Sequence, residues 1–236
     1  MERVLKQLIE KLTQAYGDRL VSVVLYGSAA VGDHHGRYSD INVFCVLKQV
    51  SLPELRDSES VFTWWRELGN PAPLLMSESE VHRSTDSFPI EFHDIQERHR
   101  LLHGADIVST LAVDDTFYRA HVEHELRAKL LRLREKAAGV LGDKTLLLRL
   151  MADSVSTFCV LTRHVMRLRG MEAPWAKRDI IEQAQDKLGI DGRPFRLLID
   201  LREEKVKPRE LDASSLLDSY LKEIDAVIDS VDRLET

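Results

Sequence analysis

The sequence predicts an α+β protein: an N-terminal core built on a mixed sheet, followed by a C-terminal all-α helical bundle. Three observations carry this. Two β-branched, apolar runs, "VSVVLY" at 21–26 and "INVFCVL" at 41–47, stand on either side of a polar, glycine-containing stretch. Residues 1 to 16 repeat Val4, Leu5, Leu8, Ile9 and Leu12 at helical spacing. From about Asp115 the chain reads as helix after helix, with bundle-like lengths and short connections.

Taken in order, the first helix ends at Gly17-Asp18 and the strand at 21–26 follows. Gly27 to Ser39 reads as a turn, a short helical piece and a loop, and 41–47 as a second buried strand. Residues 53–69 read as a helix with Leu55, Val61, Phe62 and Trp65 inward, broken by Pro71 and Pro73. "PLLMS" is a third strand, "SESEVHRSTD" a polar connection with helical potential. "FPIEFHDI" at 88–95 alternates around Glu91 and reads as a fourth strand, and "QERHRLLHG" as a short basic helix. Helices are then expected over 116–138, with Leu126, Leu130, Leu133 and Ala137 on one face, over 143–169, and from Pro174 through Leu188. "RPFRLLIDLREEK" and "SSLLDSYLKEIDAVIDSVDRL" supply two more. The domains implied are 1–112 and 113–236.

The bulk numbers exclude several classes. The 236 residues suffice for one large domain or two small ones. A net charge of −6 does not suit a non-specific binder of long polyanions, so nucleic acid is not the expected partner. Two distant cysteines, Cys45 and Cys159, make neither a disulfide framework nor a zinc ribbon, and fit a reducing compartment. No uninterrupted apolar run approaches the ~18 residues a bilayer span needs. "MERVLKQLIEKL" is amphipathic and carries acids, unlike a secretory signal. The expectation is a cytoplasmic protein with no membrane partner.

The chemistry concentrates between the first two strands. Gly27 and Ser28 at a strand end let backbone N–H groups approach a phosphate closely. Carboxylates at i and i+2 of the next strand would share one face and could hold divalent metals. Here Asp40 is followed by Ile41 and Asn42, so the second position carries an amide. A third carboxylate from a neighbouring strand could act as general base, and Glu91 is the best candidate, with Asp94 second.

Gly27-Ser28, a gap of eleven residues, then Asp40-Ile41-Asn42 resembles the signature of the DNA polymerase beta-like nucleotidyltransferase superfamily, in which Gly-Ser precedes an acid-apolar-acid triplet. Within it, the chain is most similar to the minimal and aminoglycoside (kanamycin-type) nucleotidyltransferases, which pair the catalytic domain with a helical bundle. The motif resemblance covers about residues 21–95. It implies that Gly27 and Ser28 hold a nucleoside triphosphate, that Asp40 and Glu91 ligate Mg²⁺ or Mn²⁺ and carry the chemistry, and that Asn42 stands at a metal and nucleotide position. An amide oxygen still ligates a hard cation but brings no charge. The implied reaction is transfer of a nucleoside monophosphate, AMP foremost, to a hydroxyl of a small molecule or protein. The loss of one acid implies as the alternative a nucleotide-binding protein acting as regulator or antitoxin. A homodimer or a toxin–antitoxin-type partner is compatible with either.

Other residues carry two readings. Arg37 would neutralise a triphosphate or serve as a surface charge, and His34 and His35 read as an exposed polar loop. Ser39 reads as a turn cap, and His99 and His103 as a solvated basic surface. Arg119 and His124 have the loose Arg-x4-His spacing of HEPN ribonuclease toxins, which charged helices also produce by chance. Glu123 and Glu125 lie alongside. Trp64, Trp65 and Trp175 read as packing residues.

Overall fold

The computed structural model describes residues 1–31 and 41–234. Its contacts divide the chain into two compact units, Met1–Phe117 and Tyr118–Thr236, so the division falls at the first residue of a long helix.

The first unit holds a four-stranded mixed sheet of order β3-β2-β1-β4. Its strands are β1 (Leu20–Tyr26), β2 (Asn42–Leu47), β3 (Leu74–Ser77) and β4 (His99–Gly104). β1 runs antiparallel to both neighbours and β2 parallel to β3. The central strands are near-continuous apolar runs because both faces are covered. Helix α1 (Glu2–Tyr16) buries Leu5, Leu8, Leu12 and Tyr16 on the first face, against Val23, Leu25, Val43, Cys45 and Leu47. Helix α2 (Leu52–Glu67) adds Val61 and Trp65 to that face. The second face carries Val24, Phe44 and Val46, covered by Val81 of α3 (Glu78–Arg83) and by Phe92 and Ile95 of α4 (Pro89–Glu97).

Three expectations need correction. "FPIEFHDI" is the helix α4, not a strand. Over so short a run, Ile90 and Phe92 fit a period of two, but Phe92 and Ile95 are the pair that enters the core. Pro89 at the helix start, where no N–H is needed, is the signal that decides it. The following residues, read as a basic helix, form the edge strand β4, half-buried along most of its length and paired to β1. It ends at Gly104 with φ +79°, where a β-carbon would stand 2.0 Å from the Val21 carbonyl oxygen, so only glycine fits. On α2, Leu55 points outward; the buried stripe is Glu54, Ser58, Val61 and Trp65. A buried glutamate is tolerated because Ser51 donates to it and the Arg19 guanidinium lies 2.9 Å away.

The second unit contains α5 (Tyr118–Ala138), α6 (Lys144–Leu168), α7 (Lys177–Leu188), α8 (Arg193–Arg202) and α9 (Ala213–Asp232). α6 contacts each of the other four. α5 buries Leu126, Leu130, Leu133 and Ala137, as the spacing predicts. Asp143 and Asp212 cap α6 and α9 by accepting backbone N–H bonds, each worth about 1 kcal/mol. Tyr220 of α9 sits edge-on to both Phe158 and Phe195, with centroids 5.8 and 5.1 Å away, and ties three helices together. By length and composition α6 is the one described helix that would pass for a membrane span, although half of that window is buried in the protein.

Candidate functional site

β1 ends at Tyr26, and the chain turns at Gly27 with φ +78° into a 3-10 turn over Ser28–Val31. L-residues avoid this conformation, which is why glycine stands there. The Gly27 N–H donates to the Arg98 carbonyl at 2.9 Å, so the turn is tied to the end of α4. Its carbonyl accepts from the Ala30 N–H at 3.1 Å, closing the 3-10 turn. With Gly27 so engaged, any phosphate cradle must come from amides beyond it.

Asn42 opens β2 directly opposite Tyr26. Its Nδ2 lies 3.4 Å from where a β-carbon on Gly27 would be. The two halves of the motif therefore meet. Strand alternation puts Asn42 and Tyr26 on the second face with Phe44, the face that α4 covers. Phe92 of α4 packs edge-on to Phe44, with centroids 6.4 Å apart.

Glu91, expected mid-strand, stands exposed in the first turn of α4. The phenol of Tyr26 is raised above its ordinary pKa by burial and, next, by the negative charge of Glu91. Gly27, Asn42 and Tyr26 thus gather at one end of the β1–β2 pair. An amide and a carboxylate oxygen are the hard donors that Mg²⁺ takes. Among the described residues no cluster of three His, Cys, Asp or Glu is arranged to hold a metal. Asp40, Arg37, His34, His35 and Ser39 lie outside the described residues.

Asp94 changes sides with the correction of α4. On a strand it would oppose Glu91; on a helix three residues apart shares a face. It is half-buried and engaged in interactions of its own. His93 is buried, and its Nε2 meets Asp115 Oδ1 at 2.5 Å. His99 is part of the fold and not of a solvated surface. Its Nδ1 meets the Gln96 carbonyl at 3.1 Å and its Nε2 the Ser109 hydroxyl at 3.3 Å. Arg119 pairs with Glu123 at 3.1 Å, and His124 is exposed. Five residues apart on a helix, Arg119 and His124 point about 140° away from each other. Glu125 pairs with Lys129 at 3.2 Å.

Two features escaped the sequence reading. One is Tyr26, whose period-two partnership with Asn42 across the sheet was the available signal. The other is a polar chain inside the helical unit, for which "TRH" within the apolar stripe of α6 was the signal. Tyr118 Oη lies 2.6 Å from His164 Nδ1, Arg163 Nη2 lies 3.4 Å from His164 Nε2, and the Arg163 guanidinium stacks 3.7 Å from the Trp175 centroid. Burial and then the neighbouring charge of Arg167 bring Arg163 down to about 10. Trp65 is core, while Trp64 is half-buried under the Lys11 ammonium, 5.1 Å from its centroid.

No protein-family model matches the sequence, and no curated protein matches it. Solved structures do. The crystal structure of spectinomycin adenyltransferase AAD(9) from Enterococcus faecialis with ATP and spectinomycin aligns with a TM-score of 0.63 at 9% identity, over 98% of this chain and 99% of that one. A toxin–antitoxin with AMP-PNP aligns at TM-score 0.33 and 19% identity, over 52% of this chain and 93% of that one. The tri-AMPylated Shewanella oneidensis HEPN toxin in complex with MNT antitoxin aligns at TM-score 0.31 and 18% identity, over 54% of this chain and 94% of that one. The fold assignment rests on the first alone. The chain shares that structure's fold over 98% of its length, and its own two units are a mixed four-stranded sheet with helices and an all-helical one.

Proposed function

We propose that the protein transfers a nucleoside monophosphate, AMP foremost, from a nucleoside triphosphate to a hydroxyl of a small molecule or protein. The observation that carries this is the meeting of Gly27 and Asn42, the two halves of the motif, at the end of the β1–β2 pair. It occurs in a fold shared along its whole length with an adenyltransferase crystallised with ATP and spectinomycin.

In this reading Ser28 and Arg37 hold the triphosphate, and Gly27, whose own N–H is given to the Arg98 carbonyl, shapes the turn that presents Ser28. The acceptor oxygen attacks the α-phosphorus, a P–O bond forms, and the bond to the bridging oxygen breaks. Pyrophosphate leaves with that electron pair, and the acceptor's proton passes to Glu91, the exposed carboxylate in the first turn of α4. Mg²⁺ or Mn²⁺ bound with the nucleotide would neutralise charge on the phosphate oxygens, with Asp40, Asn42 and Glu91 as its oxygen donors.

One residue favours a second reading. Asn42 brings no charge to its position, so the protein would bind nucleotide and regulate a partner, without transfer. Labelled ATP with Mg²⁺ or Mn²⁺ and a panel of hydroxyl acceptors, spectinomycin among them, separates the two. Labelled acceptor that disappears with Asp40→Ala supports transfer. Nucleotide bound at high metal concentration with no turnover on any acceptor sinks it and supports the second reading.

A further inference from the structure

The Gly27 turn is held by the corner where α4 gives way to β4. Its N–H donates to the Arg98 carbonyl at 2.9 Å, just beyond the strand ladder, which ends with Tyr26 opposite His99. β4 also lies against the 3-10 turn over Ser28–Val31. Arg98 stands between two residues that are both tied to the segment 106–111. On one side the Gln96 side-chain amide donates to the carbonyls of Val108, at 3.1 Å, and Leu111. On the other, His99 Nε2 meets the Ser109 hydroxyl at 3.3 Å and lies 3.6 Å from Asp106 Oδ1. Ser109 donates its hydroxyl proton to Asp106 Oδ2 at 2.7 Å and its N–H to Oδ1 at 3.1 Å. A carbonyl only accepts, so His99 Nδ1 donates to the Gln96 carbonyl, at 3.1 Å, and the ring is held at both nitrogens. The segment itself is anchored in the core by Ile107, Val108 and Leu111.

An apolar side chain at position 99 would fill the space but would fix no orientation. A ring engaged at both nitrogens fixes one, and a hydroxyl bound to an ionised carboxylate makes a stronger link than a neutral pair. The Asp106 carboxyl is held below its usual range by the Ser109 hydroxyl and backbone N–H, and after them by His99. We propose that His99 is a positioning residue for the Gly27–Ser28 turn: through the Ser109 hydroxyl and Asp106 it fixes the corner whose Arg98 carbonyl holds the Gly27 N–H, and so sets where the amides beyond Gly27 point. This rests on the nucleotide-binding part of the proposed function for its consequence, and on the contacts between residues 96–99 and 106–111 for its geometry.

The test reads the turn and the nucleotide separately. Ser109→Ala removes the hydroxyl that joins the ring to the carboxylate and keeps the backbone N–H bond to Asp106, at an exposed position. Amide hydrogen exchange, resolved by NMR, is expected to quicken about tenfold at Gly27, the scale of one or two hydrogen bonds, and to stay unchanged at Val23 and Val24 of the same strand. Ser109→Thr, which keeps the hydroxyl, is expected to exchange as the parent does. In a His99→Phe background Ser109→Ala is expected to add nothing. An unchanged Gly27 amide in Ser109→Ala, equal quickening at all three amides, or a full further effect in the His99→Phe background overturns the proposal. In the second arm, the Kd of a non-hydrolysable ATP analogue with Mg²⁺ is expected to rise about threefold in Ser109→Ala, because a turn held less firmly must be ordered by the ligand, and to return to the parent value in Ser109→Thr. A faster Gly27 amide with an unchanged Kd overturns the positioning role. A parent chain that binds no nucleotide refutes the proposed function, and the exchange arm then decides on its own whether His99 holds the turn.

Discussion

The amide of Asn42 lies 3.4 Å from the place a β-carbon would occupy on Gly27, at the point where the backbone turns with φ +78°. The first half of the motif thus touches the start of the second, although the residues that connect them through the chain number more than a dozen. Each half constrains the other: the turn needs glycine, and the strand start opposite it presents a polar side chain to that turn.

Gly27→Ala separates the two constraints. The contact of 3.4 Å is ordinary van der Waals distance, so the added methyl group meets no clash. The left-handed backbone alone sets the cost, about 1–2 kcal/mol. Gly27→Asn, which tolerates that conformation better, should cost less. Urea denaturation of the three proteins checks the order. An alanine variant as stable as the parent would show that the turn does not need a positive φ.

Asn42→Asp restores charge at the strand start. Unit charges 4 Å apart near a protein surface interact by about 4 kcal/mol, and part of that is lost to solvent. Even a third of it gives about a tenfold gain in Mn²⁺ affinity. Titration of Mn²⁺ followed by electron paramagnetic resonance, with and without ATP, measures it. Unchanged affinity would mean that this residue does not face the metal that the motif implies.

The Gly-Ser turn, both central strands and the helical half were legible in the sequence because each writes a long or strongly patterned signal. β1 and β2 are buried on both faces, and α5 keeps a strict apolar stripe from Val122 to Ala137. The region from 88 to 104 was not legible, for a physical reason. α4 is nine residues long and β4 six, too short for either period to dominate. Glu91 was singled out as the mid-strand carboxylate of that run, and the element that carries it was misread. The phenol of Tyr26 was hidden by its apolar strand, where a tyrosine reads as one more large side chain.

The two thiols should be inert in the native protein. Burial pushes Cys45 in β2 and Cys159 in α6 up to about 12. At pH 8 such a thiol is ionised to about one part in ten thousand, and the thiolate is the reactive form. A thiol-reactive chromophore should label neither residue in buffer and both in urea. Because each unit holds one cysteine, mass analysis at intermediate urea reports the opening of each separately. Rapid labelling of Cys45 in buffer would contradict its place in the core.

Glu54 should make the first unit sensitive to acid. It is 1% exposed on the inner stripe of α2. The Ser51 hydrogen bond, and after it the Arg19 guanidinium, hold its carboxyl at about 2 against the opposing push of burial. An unfolded glutamate titrates near 4.3. Between those values the unfolded chain takes up the proton and the folded chain does not, so stability falls as the pH falls. The contribution is complete above about pH 4.5 and is lost progressively toward pH 2. Glu54→Gln removes that titration, so its melting temperature should change less between pH 6 and pH 3 than the parent's, from a lower starting value. Glu80, Asp106 and Asp212, whose carboxyls are also held low by hydrogen bonds, remain in both proteins and set the common slope. Parallel melting curves for parent and variant across that range would show that Glu54 is not held as an anion in the fold.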